Sequence, residues 1–289
     1  MPASIGIDLM GADVAPSYIL EAALALNTSL VFFGTEEALA SISGFETVIC
    51  EDVVQMSDNP LKIVREKRKS SLFTGLSYLK EGKIAAFISL SNTGALMSCV
   101  RVLLDLEKGV SKPALACLIP TAKADAVVLD VGANVEATSE MLVQFARLGS
   151  IFSRTYQKVE APRVALLNIG EESIKGTEVH KEAYRTLKEA SELDFVGNKE
   201  PYDVFTGEAD VFVTNGFSGN LFVKTSEAAS RYILSSVHKM HSDLQFPDIT
   251  HEGFGAVVLG IKQCVIKCHG QASSAAIQGA IRFAVQYIH

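Results

Sequence analysis

Short apolar, β-branched runs recur along the chain: SIGIDLM, LVFFG, TVIC, IAAFIS, ALACLIP, AVVLDVG, RVALLNIG, LDFVG and DVFVTNG. Between most of them lie stretches with helical periodicity, at Pro16–Asn27, Pro60–Glu81, Gly94–Leu106, Ser139–Gln157, Lys175–Ala190 and Gly219–Met240. Strand–helix alternation predicts an α/β fold with a mainly parallel sheet. The runs lack a clean polar alternation, which predicts strands covered on both faces, a three-layer α/β/α arrangement. No fixed-period repeat, low-complexity tract or long Pro/Gly linker interrupts the pattern, so residues 1–289 read as a single α/β domain with no visible internal boundary.

Five of the runs end alike. IGIDLMGAD, FISLSNTGA, VLDVGANVE, LLNIGEESIKG and VFVTNGFSGN each pass from apolar residues into a polar loop that carries glycine. In a parallel sheet the carboxyl ends of the strands share an edge, and ligands bind in the crevice there. Glycine and asparagine also make ordinary strand-to-helix turns, but five such loops together favour a site. A helix N-terminus offers unpaired N–H groups and partial positive charge, which suits phosphate. In SLSNTGA, Ser91, Asn92 and Thr93 bring side-chain donors and Gly94 allows close backbone approach, although Asn92 or Thr93 equally suits an N-cap. Lys175 and Gly176, at the apparent start of a later helix, offer either a point charge for phosphate or a solvated lysine.

Composition narrows the classes. The chain has 289 residues, 48% hydrophobic and 20% charged, with a formal charge of -7. These are globular values, and no basic face dominates, so nucleic acid is not an expected partner. The exception is KIVREKRK at 62–69, a basic run that reads as a helix with Arg65 and Arg68 on one face. Five scattered cysteines, at 50, 99, 117, 264 and 268, read as buried reduced thiols. Cys264 and Cys268 have no paired-ligand spacing, and His251-Glu252 lacks the second histidine of HExxH, so no metal and no cofactor are expected. No basic n-region precedes a long apolar run at the N-terminus, and no apolar stretch approaches the roughly 20 residues of a spanning helix, so the expected location is cytoplasmic.

The loops in order, DLMGAD, SNTGALM, LDVGANVE, LLNIGEESIKG, FVGN, GEADVFVTNGFSGN, FVKTSEA and IKCHG, resemble the successive motifs of the phosphate acyltransferase (PlsX) family of bacterial phospholipid synthesis. The resemblance runs from Ile5 to about Arg282. It implies a fold similar to that of the isocitrate and isopropylmalate dehydrogenases and the phosphotransacetylases, and a homodimer. The implied reaction moves a fatty acyl group from acyl-[acyl carrier protein] to inorganic phosphate, giving acyl phosphate, with a glycerol-3-phosphate acyltransferase as the possible downstream partner. Such chemistry suits these loops. Phosphate is already anionic and the leaving thiol has a pKa near ~8.5, so the demands are positioning and oxyanion stabilisation rather than a covalent nucleophile.

On that resemblance Asn92, Thr93 and Gly94 receive phosphate, and Lys175 and Gly176 close over it. Asp13, Asn134, Asn220 and His269 are candidates for orientation or proton handling. Gly11, Ser91, Gly170 and Asn215 line the acyl thioester and phosphate. His269 alone, a histidine before glycine, equally suits a hydrogen-bonded structural role. Arg65, Lys67 and Arg68 match a basic stretch of the family and are candidates for docking the acidic carrier protein.

The chain also departs from the family pattern. Gly-Gly-Asp reads Gly11-Ala12-Asp13, Ala-Gly reads Leu90-Ser91, and Asp-Gly-Phe reads Asn215-Gly216-Phe217, an amide in place of a carboxylate. Where relatives insert a longer apolar and basic hairpin, residues 237–252 are short and polar with Pro247, which predicts weak or absent membrane association. Two alternatives stay open: a phosphotransacetylase-like enzyme using coenzyme A, and a non-catalytic subunit that binds carrier protein. A dehydrogenase is disfavoured by the lack of a dinucleotide fingerprint.

Overall fold

The computed structural model describes residues 4–240 and 254–288. Of the 237–252 segment, residues 241–252 lie outside the described residues. The chain forms two compact units, the first made of residues 1–113 and 252–289, the second of 114–251. The chain leaves the first unit and returns to it, so no linker marks the division in the sequence.

Unit 1 begins with β1 (Ile5–Asp8), α1 (Pro16–Leu24), β2 (Leu30–Gly34), α2 (Glu36–Leu39), β3 (Glu46–Ile49), α3 (Pro60–Glu66), α4 (Ser71–Lys80), β4 (Ala86–Ser89) and α5 (Thr93–Leu103). Unit 2 contributes β5 (Ala114–Ile119), β6 (Ala126–Leu129), α6 (Ser139–Phe152) with a π-helical last turn over Ser153–Gln157, β7 (Arg163–Leu167), α7 (Glu178–Glu189), β8 (Asp194–Lys199), α8 (Pro201–Thr206), β9 (Val211–Val213) and α9 (Gly216–Met240). The chain then returns to unit 1 with β10 (Ala256–Leu259), β11 (Cys264–Lys267) and α10 (Ser274–Ile288).

In unit 1 the strands run in the order β3-β2-β1-β4-β11-β10, parallel except for β10 against β11. In unit 2 the order is β5-β6-β9-β7-β8, parallel except for β5 against β6. Every residue of β1, β4, β6 and β11 is buried. This explains why the runs show no alternation: helices cover both faces, and each side chain of these strands is a core side chain. In unit 1, α4 packs on β1, β2 and β4, while α10, paired with α1, packs on β1, β4 and β11. In unit 2, α6 packs on β6, β7 and β9. The mainly parallel α/β fold expected from the sequence is the fold observed.

Three elements differ from the periodicity. The predicted helix over Pro60–Glu81 is two helices, broken at residues 67–70. Lys67 caps α3 with φ -121° and ψ 46°, and the Ser70 hydroxyl caps α4 by accepting from the Phe73 N–H at 3.3 Å. Arg68 therefore lies beyond the helix that holds Arg65, and the two do not share a helical face. α7 starts at Glu178, which leaves Lys175 and Gly176 in the preceding loop. α9 starts at Gly216 because the Asn215 side chain caps it, its Oδ1 accepting from the Ser218 N–H at 2.9 Å.

Candidate functional site

Because β1, β4 and β11 are parallel neighbours, the loops that follow them leave from one edge of unit 1. These loops are knitted together. The Asp13 N–H donates to the Gly270 carbonyl at 2.9 Å, and the Asn92 Nδ2 donates to the Met56 carbonyl at 2.6 Å. A Cβ on Gly270 would stand 2.3 Å from Met56 Cε and 2.7 Å from Asp13 Oδ2. Gly11, at φ +73°, would put a Cβ 2.3 Å from the Val54 carbonyl oxygen and 3.1 Å from Ser91 Cβ. Only glycine fits both that angle and that space. Asp13, Asn92, Ser91 and His269 thus occupy neighbouring loops of a single edge.

At the head of α5, Asn92 is the N-cap. Its Oδ1 accepts from the Ala95 N–H at 3.0 Å, and its carbonyl accepts from the Leu96 N–H. Both ends of this amide are engaged, one in the cap and one with Met56, so Asn92 builds the turn rather than offering a free ligand. Among the described residues no acceptor meets the N–H groups of Thr93 or Gly94. They are the orphan donors of the helix, backed by its dipole, with the Thr93 hydroxyl beside them. Gly94 has a second constraint: a Cβ there would come within 2.7 Å of Pro60 Cγ, where α3 packs on α5.

Ser91 is not aimed outward. It is buried, and its hydroxyl lies 2.8 Å from that of Ser89, which donates to Asp8 Oδ2 at 2.8 Å. With the Ser89 proton given to Asp8, the Ser91 proton points to Ser89. The Leu90-Ser91 departure thus places a hydroxyl in the interior with a partner already present. Lys267, also buried, donates to the carbonyls of Leu90, at 3.3 Å, and Cys268. Asp8 and Lys267 are missing from the residues singled out by sequence, and Ser89 is there only as one of the hydroxyls of the turn. Their only signal is a charge or hydroxyl placed inside or at the end of an apolar run.

His269 is exposed, and its Nδ1 accepts from the Gln271 N–H at 3.2 Å. That bond places the ring proton of the neutral imidazole on Nε2. The five cysteines are all free and buried. Burial pushes the thiols of Cys99, Cys117, Cys264 and Cys268 up to about 12 and that of Cys50 to about 11, so none is a thiolate nucleophile at neutral pH. Among the described residues no group of three or more His, Cys, Asp or Glu assembles to hold a metal ion.

In unit 2 the loops after β6, β7 and β9 likewise share an edge. Asp130 is buried and collects the N–H groups of Leu115, Gly132, Ala133 and Asn134 together with Asn134 Nδ2, at 2.7–3.1 Å. Burial pushes its carboxyl up, and these donors hold it back. The first turn of α9 lies on this loop: a Cβ on Gly216 would stand 2.5 Å from the Asn134 carbonyl oxygen, and one on Gly219 would stand 2.0 Å from that of Asp130. Asn134 is thus bound into the loop that Asp130 organises, whereas Asn220, on α9, is exposed and packs beside Gly132.

The Lys175 loop is held from beneath. Asn168 Nδ2 donates to the Lys175 carbonyl at 3.2 Å, and Asn198 Nδ2 donates to that of Glu172 at 2.9 Å. Gly176 turns at φ +84° against the Asn168 amide, and Gly170 sits against Glu172 and Lys175. The Lys175 ammonium is partly exposed and only loosely paired, 4.0 Å from Glu172 Oε2. Asn168 and Asn198, the supports of this loop, were not singled out by sequence, although the motifs containing them were.

The basic run is less available than its sequence implies. The Lys67 ammonium donates to Asp58 Oδ2 at 2.6 Å and to the Val53 carbonyl at 2.7 Å, and Arg68 Nε donates to the Val64 carbonyl. Lys67 therefore locks the α3–α4 break rather than facing a partner. Arg65 and Arg68 remain exposed.

The fold is one shared with phosphotransacetylases of known structure. A phosphotransacetylase from Streptococcus pyogenes superposes with a TM-score of 0.69 at 14% identity, covering 99% of this chain and 94% of that one. EutD phosphotransacetylase from Staphylococcus aureus gives 0.65 at 16% identity, covering 100% and 94%. Likeness at these identities is one of fold alone. Sequence goes further: a family model described as "Fatty acid synthesis protein" matches residues 3–246. Phosphate acyltransferase of Chlamydia caviae is 42% identical over 94% of this chain and 91% of that protein, and that of Pseudothermotoga lettingae is 39% identical over 97% and 91%. The chain belongs to the phosphate acyltransferase family, a family of acyltransferase enzymes.

Proposed function

We propose that this protein transfers a fatty acyl group from the thioester of acyl-[acyl carrier protein] to inorganic phosphate, giving acyl phosphate for phospholipid synthesis. The observation that carries the reading is the pair of unpartnered N–H groups, Thr93 and Gly94, at the head of α5, set among loops that bring Asp13 and His269 to the same edge. Two aligned N–H donors with a helix dipole behind them bind a dianion without metal. The Thr93 hydroxyl adds a third contact. Held there, phosphate needs no activation by a covalent nucleophile.

One phosphate oxygen attacks the thioester carbonyl carbon and forms the new C–O bond. The carbonyl oxygen carries the charge of the tetrahedral intermediate. As the C–S bond breaks, sulfur leaves with the electron pair as a thiolate and takes its proton from solvent, while the Nε2–H of His269 is assigned to donate a hydrogen bond to the carbonyl oxygen. Asp13, anchored beside Gly270, is assigned the proton that phosphate sheds. An oxyanion donor is worth roughly 3–4 kcal/mol when judged by deletion, so a His269 hydrogen bond contributes on that scale, while the helix donors act by positioning phosphate. Arg65 and Arg68 are assigned to attract the acidic carrier protein.

The test incubates purified protein with phosphate and either acyl-[acyl carrier protein] or acyl-coenzyme A, trapping acyl phosphate with hydroxylamine. The reading predicts product from the carrier-protein thioester and little from the coenzyme A thioester. Product from coenzyme A alone would replace the donor, and no product from either would remove the activity. In the same assay Lys175→Ala is expected to lower turnover at least tenfold with an unchanged melting temperature, and unchanged kinetics would take Lys175 out of the reaction.

A further inference from the structure

Lys267 lies at the end of β11, 8% exposed, in a strand whose every residue is buried. An ammonium placed there forfeits its hydration and must be bonded and balanced. The two carbonyls it meets belong to different loops. Leu90 opens the turn that leads through Ser91 and Asn92 to the head of α5, and Cys268 immediately precedes His269. β4 and β11 are hydrogen-bonded neighbours, with Lys267 opposite Ser89 in register and the Cys268 N–H donating to the Ser89 carbonyl at 3.0 Å. Lys267 sits where those two loops part.

Several groups face it. Asp8, in β1 on the far side of β4, interacts with Lys267 electrostatically and receives the Ser89 hydroxyl and the Met10 N–H. The Leu90 carbonyl lies only a few bonds from the Thr93 and Gly94 amides, so the bonds of Lys267 tie this turn to the backbone that leads into His269.

We propose that Lys267 is a positioning residue that clamps the anion-binding turn of α5 to the His269 loop, setting the Thr93 and Gly94 amides for phosphate. This rests on the function proposed above. A residue serving the fold alone would, on removal, loosen the whole unit and affect both substrates alike. The clamp acts on one of them.

The experiment compares the parent protein with Lys267→Met, which keeps the volume and removes the charge, and with Lys267→Arg, which keeps the charge and donors. Melting temperature and the Michaelis constants for phosphate and for the acyl donor are measured, and inorganic phosphate binding is followed by calorimetry. K267M is expected to raise the phosphate constant at least tenfold and leave the acyl-donor constant within twofold, with K267R nearer the parent than K267M. A phosphate constant within twofold of the parent in K267M, or a parallel rise in both constants, overturns the proposal. Should K267M fail to fold, Lys267→Gln decides by the same two criteria. An inactive parent counts against the proposed function, and the calorimetric arm still decides the clamp: it predicts weaker phosphate binding in the variant, and equal binding refutes it.

Discussion

Asp8 ends a four-residue strand without any exposure, and burial pushes its carboxyl up to about 6, opposed by hydrogen bonds from Ser71, the Met10 N–H and Ser89 and by the charge of Lys267. A raised acid favours the fold while it is protonated. Its contribution is present in full below the ordinary value near 3.8 and is lost as pH rises through about 6. The gap between those two values corresponds to about 3 kcal/mol. Asp8→Asn should remove this dependence. In urea titrations at pH 4 and pH 7, the parent is expected to lose roughly that much stability relative to Asp8→Asn across the interval. Parallel pH dependences in the two proteins would show that Asp8 does not titrate there. Residue by residue, the sequence exposed the loops better than the atoms within them. SNTG was legible as an anion turn because glycine and hydroxyls at a strand end have few other uses. That Asn92 is spent on its cap and on Met56, and that Ser91 points inward, depends on neighbours 36 and two residues away, and no local pattern carries that. Lys267 escaped for the opposite reason: a lysine after three apolar residues looks like a strand end meeting solvent.

At the scale of elements, two glycines of α9 show how packing rather than conformation fixes a residue. Gly216 and Gly219 are helical, and helix propensity alone favours alanine by about 1 kcal/mol. Packing reverses the preference, since a Cβ on Gly219 would stand 2.0 Å from the Asp130 carbonyl oxygen, backbone that cannot step aside. Gly219→Ala is expected to cost at least about 2 kcal/mol in denaturant unfolding. Gly44→Ala is the control. Gly44 has open space around it and a φ of +79°, so it should lose only about 1 kcal/mol, the strain of the backbone angle. Equal costs at the two positions would mean that the first turn of α9 does not rest on the Asp130 loop as described. The same scale explains the break between α3 and α4. Periodicity ran unbroken through KIVREKRK, but Ser70 offers a cap and Lys67 finds Asp58, a pairing that no helical wheel displays. Asn215 is the converse case. Its change from the family's carboxylate looked like a lost functional group, and it acts as an N-cap, a role that asparagine and aspartate fill equally.

At the scale of the molecule, the alternation of strands and helices was enough to fix the class of fold, because buried parallel strands leave a continuous apolar signature. The division into two units was not legible. It is made by a chain that leaves unit 1 after Pro113 and comes back with β10, β11 and α10, and the return brings in Lys267 and His269. Local patterns report neighbours in sequence, so a discontinuous unit has no signal until its strands are paired. Among the described residues no helix is long and apolar enough to cross a membrane. Family membership rests on near-complete alignments at about 40% identity, and the chemistry proposed here rests on one local arrangement, the open N–H pair at the head of α5. The most direct measurement is a crystal structure of the full chain soaked in inorganic phosphate. An anion within hydrogen-bonding distance of the Thr93 and Gly94 amides and the Thr93 hydroxyl is the predicted result. A fully occupied phosphate elsewhere, with those amides bonded to water, would contradict the account.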